Sequence, residues 1–392
     1  MTTLFDTWSH ALDASKPPRI DAIFLDWSKA FDRCDHFILL QKLHRYGICG
    51  NLLSWIKDFL FERQQRVIFA GDRSDWIPVT SGVPQGSVLG PVLFNLHVFT
   101  SDLINYVQSP LPQYADDTVL YRIIRSNEDA VVLQEDLNSI SEWCKENHMQ
   151  LNSTKCKVMH ITRSRNQALS PYYLQDPEPL QVVTSYKYLG VILSNDLTWT
   201  KHVSMIRSKC SKLSGFIRRT VKSRNADVLI KLYQSLCRPV LEYGSPVWLP
   251  HQKNHIQSIE TIQRRFTKSC FPFNIASSLS YEQRLSKLNL SPLYNRLLYL
   301  SISFVINCLY KYIDIPSHFL PQPNTRKTDS LLFKHQCCRT NCVKFSLFTL
   351  FPRLFNSLPR NLRNLSLEPS PKDFLNSLRD HLFHQDPISH AS

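Results

Sequence analysis

"LPQYADDTVLYR", residues 111–122, sets two adjacent acids, Asp116 and Asp117, between two runs of strand formers. Gln113, Tyr114 and Ala115 lead in, and Thr118, Val119, Leu120 and Tyr121 lead out. The pattern reads as a hairpin with the acids at its turn. A turn accounts for Asp by itself, because the carboxylate bonds the local backbone. A Tyr-x-Asp-Asp string also arises by chance in roughly 3% of chains this long. Alone, the stretch leaves a structural turn and a catalytic pair equally open.

A second segment shifts that balance. "IDAIFLDWSKAFDRCDH", residues 20–36, starts as a buried strand from Ala22 to Leu25 and ends at Asp26. An acid there gains little from packing, and an unpaired buried carboxylate is costly. If this strand lies beside the hairpin, Asp26, Asp116 and Asp117 converge. Three anions at close range are tolerable only with cations between them. Hard oxygen ligands suit Mg²⁺. Two such ions roughly 3.5–4 Å apart form the clamp of an in-line phosphoryl displacement.

Around these acids the chain alternates strands and helices. Asp35 is placed to cap the helix "HFILLQKLHRYG". "NLLSWIKDFLFER" reads as an amphipathic helix with Leu52, Leu53, Ile56, Phe59 and Leu60 inward. "QQRVIFAGDRSDWIPVT" reads as two strands around a Gly71-Asp72 turn. "SGVPQGSVLGP" is a loop that opens the helix "VLFNLHVFTSDLINYV". A surface helix capped by Ser126 or Asn127 follows the hairpin. "KCKVMHIT" and "SYKYLGVILSNDL" are strands. Beyond about residue 198, basic amphipathic helices dominate. The apolar run Leu297 to Tyr310 is too short to span a bilayer and reads as a buried helix. Residues 314–392 are richer in Pro, Ser and Asn. The class is α+β.

Composition sets the frame. A chain of 392 residues holds two or three compact units, and 43% hydrophobic with 20% charged residues is globular. Lys and Arg number 46 against 32 acids, a net charge of +14. That excess suits a polyanion partner, though a mildly basic protein without one has the same balance. The 11 cysteines are odd in number, and the N-terminus lacks a secretory signal. Reduced thiols and an intracellular protein, nuclear or cytoplasmic and not secreted, follow. His335, Cys337, Cys338 and Cys342 in "HQCCRTNC" lack zinc-module spacing and read as structural or incidental.

"FLDWSKAFD" (24–32), "SGVPQGSVLGP" (81–91), "YADD" (114–117), "LNSTKCKV" (151–158) and "YKYLGVIL" (186–193) occur in this order. The series resembles the reverse transcriptase of non-LTR retrotransposons, most of all the jockey-type elements. The resemblance spans about residues 15–200 and continues into "RPVLEYGSPVW", "IQRRFTK" and "LFNSLPRNLR". It implies a polymerase right-hand palm, an antiparallel sheet with packed helices, followed by a helical thumb and a C-terminal tail. The implied divisions are a palm over 1–197, a thumb-like region over 198–275 and a helical or irregular region over 276–392. It further implies an RNA-directed DNA polymerase that transfers nucleotides from dNTP to a primer 3′-hydroxyl. Its partners would be an RNA template and a DNA primer, with no membrane. The stretch before Asp26 is short beside the family's fingers region, so the resemblance also implies N-terminal truncation with reduced or missing fingers. The alternative reading is a catalytically inactive nucleic-acid-binding remnant.

Residue roles follow from the same resemblance. Asp26, Asp116 and Asp117 would hold two Mg²⁺ ions, with Mn²⁺ as a substitute. Phe31 would be the aromatic gate that excludes a 2′-hydroxyl, where a core aromatic is the other reading. Gln85 and Gly86 would touch the incoming nucleotide or template. Lys155 would protonate or neutralise departing pyrophosphate, unless it is a solvated surface lysine. Tyr186, Leu189 and Gly190 would grip the primer, or simply pack a strand. Lys209, Lys212, Arg218 and Arg219 would contact phosphates, or form a solvated face.

Overall fold

The Arg19–Leu25 strand is the axis of a five-stranded sheet, buried along its whole length. The computed structural model describes residues 1–98, 102–164, 169–174, 177–223, 225–311, 333, 337–366 and 370–383. Within them the chain is α+β and divides into two compact units, 17–186 and 1–16 with 187–392.

In the first unit the strand order is Gln113–Tyr114, Asp117–Ile124, Arg19–Leu25, Lys157–Ile161, Gln181–Val182. The pairings are antiparallel except the last, which is parallel. Side chains alternate across a strand, so neighbours in sequence take opposite faces. Ile23 and Leu25 join a core with Leu120, Val158 and the helix Asn127–Glu146. That helix contributes Leu133, Leu137, Ile140 and Trp143, spaced to form one apolar stripe. Asp129 accepts the backbone N–H groups of Arg125 and Ser126, satisfying its N-terminus.

Asp35 caps His36–Arg45 as expected, accepting from the Phe37 and Ile38 N–H groups at 2.8 and 3.0 Å. The Gly50–Leu60 helix buries Ile56 and Leu60 and half-buries Leu53 and Phe59. Leu52, expected inward, is exposed. It lies a full turn from Ile56 toward the free N-terminal end, past the edge of the covered stripe. The 64–78 hairpin is two short ladders, and its turn is Ala70–Gly71 rather than Gly71–Asp72. Both turn residues have positive φ, the requirement of a two-residue hairpin loop, and only Gly71 meets it freely. The segment after "SGVPQGSVLGP" is helical over Leu89–Val98, with a separate 3₁₀ turn over Asp102–Tyr106.

"SYKYLGVIL", a single strand by its pattern and a hairpin by the family resemblance, forms a hairpin that starts in the first unit at Ser185 and ends in the second. Ser185–Tyr188 and Val191–Ser194 pair around Leu189 and Gly190, both at positive φ. The basic helix Thr200–Thr220 packs on Lys253–Ser269. The helix expected through "ADVLIKLYQSLCRPVLEYG" is interrupted by a π turn at Tyr233–Cys237. Pro239 has no N–H to continue the ladder, and a widened turn absorbs the lost bond. The N-terminal helix Thr2–Ala11 packs on Asn341–Lys344 and Leu347–Ser357, where Ser346 Oγ donates to Asp6 at 2.8 Å. Leu293–Tyr310 is a buried helix, as expected. Among the described residues no helix is long and apolar enough to cross a membrane. Cys337, Cys338 and Cys342 form no disulfide among the described residues, and His335 lies outside them.

Candidate active site

The antiparallel ladder ends at the Leu25–Thr118 pair, so Asp26 follows one strand and Asp117 opens the next at the same end of the sheet. Asp117 in turn pairs with Tyr114 across the two-residue turn Ala115–Asp116. Ala115 holds φ at 52°, the left-handed conformation that such a turn needs. The sheet therefore brings two predicted acids together at one edge and puts the third in the adjoining turn.

The electrostatics match this placement. Burial raises the pKa of Asp117 first, and the charges of Asp116 and then Asp26 raise it further. Among the described residues no group of three or more His, Cys, Asp or Glu is gathered closely enough to hold a metal ion. The donors are all hard oxygens, and that set fits Mg²⁺ or Mn²⁺.

The opposite face of the same strand ends locks them in place. Trp27 Nε1 donates to Thr118 Oγ1 at 3.0 Å, and the Trp27 ring meets Trp143 edge-on at 5.9 Å. Residues 151–156 then wrap the end of the strand. Asn152 N–H donates to the Asp26 carbonyl at 2.8 Å, and Asp26 N–H donates to Cys156 Sγ at 3.3 Å. Lys155 Nζ reaches 3.6 Å from Asp26 Oδ2. Sequence reasoning found Lys155 but not Asn152, which acts through its backbone N–H, or Cys156, which accepts through its sulfur; neither contact has a compositional signature.

Tyr186 sits on the carboxylate face. Its ring stacks on Phe24, two residues before Asp26, with centroids 4.0 Å apart. Burial, then Asp26 and Asp117, push its phenol up to about 12. Its side chain is thus committed to this sheet face.

Phe31 and Gln85 form a second group. Phe31 lies in the 3₁₀ turn Ala30–Asp32 and stacks on Phe94 at 4.3 Å, half-buried. Gln85 Nε2 donates to Asp32 Oδ1 at 3.2 Å, while Gly82 and Val83 N–H groups donate to the carbonyls of Cys34 and Phe31. The "PQG" loop is therefore sewn to the segment that carries Phe31. Gly82 is required there: at φ +85°, an added Cβ would lie 2.7 Å from Asp32 Cα. Gly86 also holds positive φ, with open space around it.

The remaining predicted residues belong to the second unit. Leu189 carbonyl accepts from Tyr243 Oη at 3.0 Å, and the Tyr243 ring covers Gly190 so closely that a Cβ would meet it at 2.8 Å. Tyr243 had no signal in the sequence as a partner of this turn. Lys209, Lys212, Arg218 and Arg219 are all exposed on Thr200–Thr220. Arg219 folds back over Gly215.

At the far end of the central strand, Asp21 is fully buried and accepts from Arg19, His160 and Tyr172 at 2.9, 2.7 and 2.6 Å. Arg19 is committed to this structural network.

Residues 6–193 match the family model described as reverse transcriptase (RNA-dependent DNA polymerase). The chain is 31% identical over 255 residues to the RNA-directed DNA polymerase from mobile element jockey of Drosophila melanogaster, covering 62% of this chain and 27% of that protein. It is also 31% identical over 255 residues to the probable RNA-directed DNA polymerase from transposon X-element of the same species, covering 63% and 28%. The matches span little more than a quarter of these relatives' length. A solved structure of telomerase from Candida albicans with a fragment of telomeric RNA aligns with a TM-score of 0.43 at 11% identity, over 79% of this chain and 47% of that one.

Proposed function

We propose that the chain, whose residues 6–193 match the reverse transcriptase family model and which is similar to the polymerases of non-LTR retrotransposons, acts as an RNA-directed DNA polymerase core. The observation that carries this reading is the sheet end at which Asp26 follows Leu25 and Asp117 precedes its partner Thr118, with Asp116 in the turn beside them. Asp26, Asp116 and Asp117 would hold divalent metal, Mg²⁺ or Mn²⁺. Bound there, such ions supply a lowered hydroxyl pKa and neutralise developing phosphate charge.

The chain's own residues supply position and exclusion. Phe31, backed by Phe94, presents a ring edge that a 2′-hydroxyl would strike, so the site favours dNTP. Gln85, held by Asp32, faces the nucleotide or template. Lys155 brings a cation to the carboxylate edge, where departing pyrophosphate gathers charge. Tyr186, Leu189 and Gly190 grip the primer, through backbone and an aromatic face. Lys209, Lys212, Arg218 and Arg219 give sequence-blind phosphate contacts to RNA template and DNA primer. In this reading residues 1–197 are the palm, 198–275 the thumb-like region and 276–392 a C-terminal extension.

Primer extension on an RNA template with dNTP and Mg²⁺ tests the proposal. Extension by the wild-type chain, abolished by Asp117→Asn, is the expected result. Primer–template binding without any extension would replace the catalytic reading with that of a binding remnant.

A further inference from the structure

Arg63, half-buried just past the Gly50–Leu60 helix, directs its guanidinium at two backbone carbonyls. Nε donates to the Leu60 carbonyl at 2.9 Å, one of the acceptors that a helix leaves unpaired at its C-terminal end. Nη2 donates to the Gly82 carbonyl at 2.7 Å. Burial, and no neighbouring charge, shifts the Arg63 pKa, and the direction is down; among the described residues no carboxylate holds the group in place. The Arg63 carbonyl in turn accepts from the Val79 N–H at 2.8 Å, closing the base of the 64–78 hairpin. One side chain thus joins a helix end, a hairpin base and the "PQG" loop.

Gly82 is fixed on both sides. Its carbonyl also accepts from His36 Nε2 at 2.8 Å, on a residue only 3% exposed. A carbonyl can only accept, so the His36 proton sits on Nε2. The Gly82 N–H donates to the Cys34 carbonyl at 2.8 Å. No slack separates the loop from the turn that carries Phe31: a Cβ at Gly82 would lie 2.7 Å from Asp32 Cα. Val83 N–H donates to the Phe31 carbonyl and Ser81 Oγ to the Asp32 carbonyl, each at 2.9 Å. Beyond Gln85, Ser87 Oγ donates to the Pro84 carbonyl at 2.7 Å and accepts from the Gly90 N–H at 2.9 Å. Gln85 therefore stands between two pinned points, and a displacement of Gly82 passes to it along the chain and to Phe31 by contact.

We propose, on the polymerase reading above, that Arg63 is a positioning residue for the incoming nucleotide: by fixing the Gly82 peptide it sets Gln85 relative to Phe31, the two side chains that would meet dNTP. Arg63 itself touches no reacting atom. Arg63→Met leaves the Gly82 carbonyl bonded to His36, so that buried acceptor is not orphaned. The loop keeps its path and gains freedom.

Single-nucleotide addition to a primer on an RNA template, with Mg²⁺ and with dNTP and NTP in turn, tests the role. Arg63→Met should raise the KM for dNTP about tenfold, the effect of losing one hydrogen bond from a charged donor, with kcat within about threefold of wild type. The preference for dNTP over NTP should fall about fivefold. A merely structural role would reduce only the amount of active enzyme, lowering apparent kcat while KM and the dNTP preference hold. Arg63→Lys keeps the charge and one donor, so its KM should rise only about threefold. KM and dNTP preference unchanged in Arg63→Met, or in Arg63→Lys where the Met variant does not fold, would overturn the inference alone. No extension by the wild-type chain would overturn the polymerase reading and the role of Arg63 with it.

Discussion

The Lys155 ammonium stands 3.6 Å from the Asp26 carboxylate, at the tip of the loop whose backbone wraps the end of the central strand. Its side chain is 66% exposed. An ion pair this solvated adds little to stability, about 0–1 kcal/mol. Its proposed value is chemical, in the cation that it brings to the carboxylate edge. Lys155→Ala should therefore leave the melting temperature within about 3 °C of wild type. The same change should lower kcat for nucleotide addition by roughly 10²-fold. Differential scanning fluorimetry and single-nucleotide kinetics measure the two effects separately. Equal loss of stability and activity would show the loop contact to be structural.

Phe31 is held by its stack on Phe94 and by the loop that carries Gln85. Replacing it with Val removes the ring but keeps a β-branched side chain. The lost stack costs about 1 kcal/mol. Discrimination against ribonucleotides should fall by roughly 10- to 100-fold. Competitive incorporation of dNTP against NTP reads this directly. An unchanged ratio would return Phe31 to the role of a core aromatic.

Gly82 tests the seam between the "PQG" loop and the Ala30–Asp32 turn. A Cβ there meets Asp32 backbone atoms at 2.7–2.9 Å, in a left-handed conformation. Gly82→Ala should destabilise the fold by at least about 2 kcal/mol, read from urea unfolding. Gly86 has positive φ but open space around it, so Gly86→Ala should cost less, about 1 kcal/mol. Equal costs would mean that the seam yields.

Burial depresses the pKa of His97, His202 and His251 to about 4 each. Their unfolded value is near 6.5. Between those limits the unfolded chain binds more protons, so stability is complete above about pH 6.5 and is lost as pH falls toward 4. At pH 5 each should take up about one proton on unfolding. Calorimetric unfolding in buffers of different ionisation enthalpy counts these protons. His97→Leu should lower the count by about one, and an unchanged count would show His97 to be open to water.

Much of the site was legible because it rests on period and order. Strand alternation ending at an acid marked Asp26, and the short hairpin marked Asp116 and Asp117. Asp35 was legible because its capping bonds are local. The parts that escaped depend on distant partners. Asn152 and Cys156 act through the backbone of Asp26, 126 and 130 residues away. Tyr243 is read only once its ring is seen over Gly190. The Asp21 network escaped because Arg19, His160 and Tyr172 meet that carboxylate only in the folded sheet. The π turn was missed because a single Pro239 signals a break without saying how the ladder repairs itself.

The convergence of Asp26 and Asp117 across adjacent strands is tested most directly by Mn²⁺ titration monitored by electron paramagnetic resonance, without nucleotide or nucleic acid. The wild-type chain should bind the ion. Asp26→Asn and Asp117→Asn should each weaken binding by at least about tenfold, and the double variant by little more than either alone, because the acids serve one site. Mn²⁺ affinity unchanged in Asp26→Asn, or losses that simply add, would place the two carboxylates at separate sites and contradict the account.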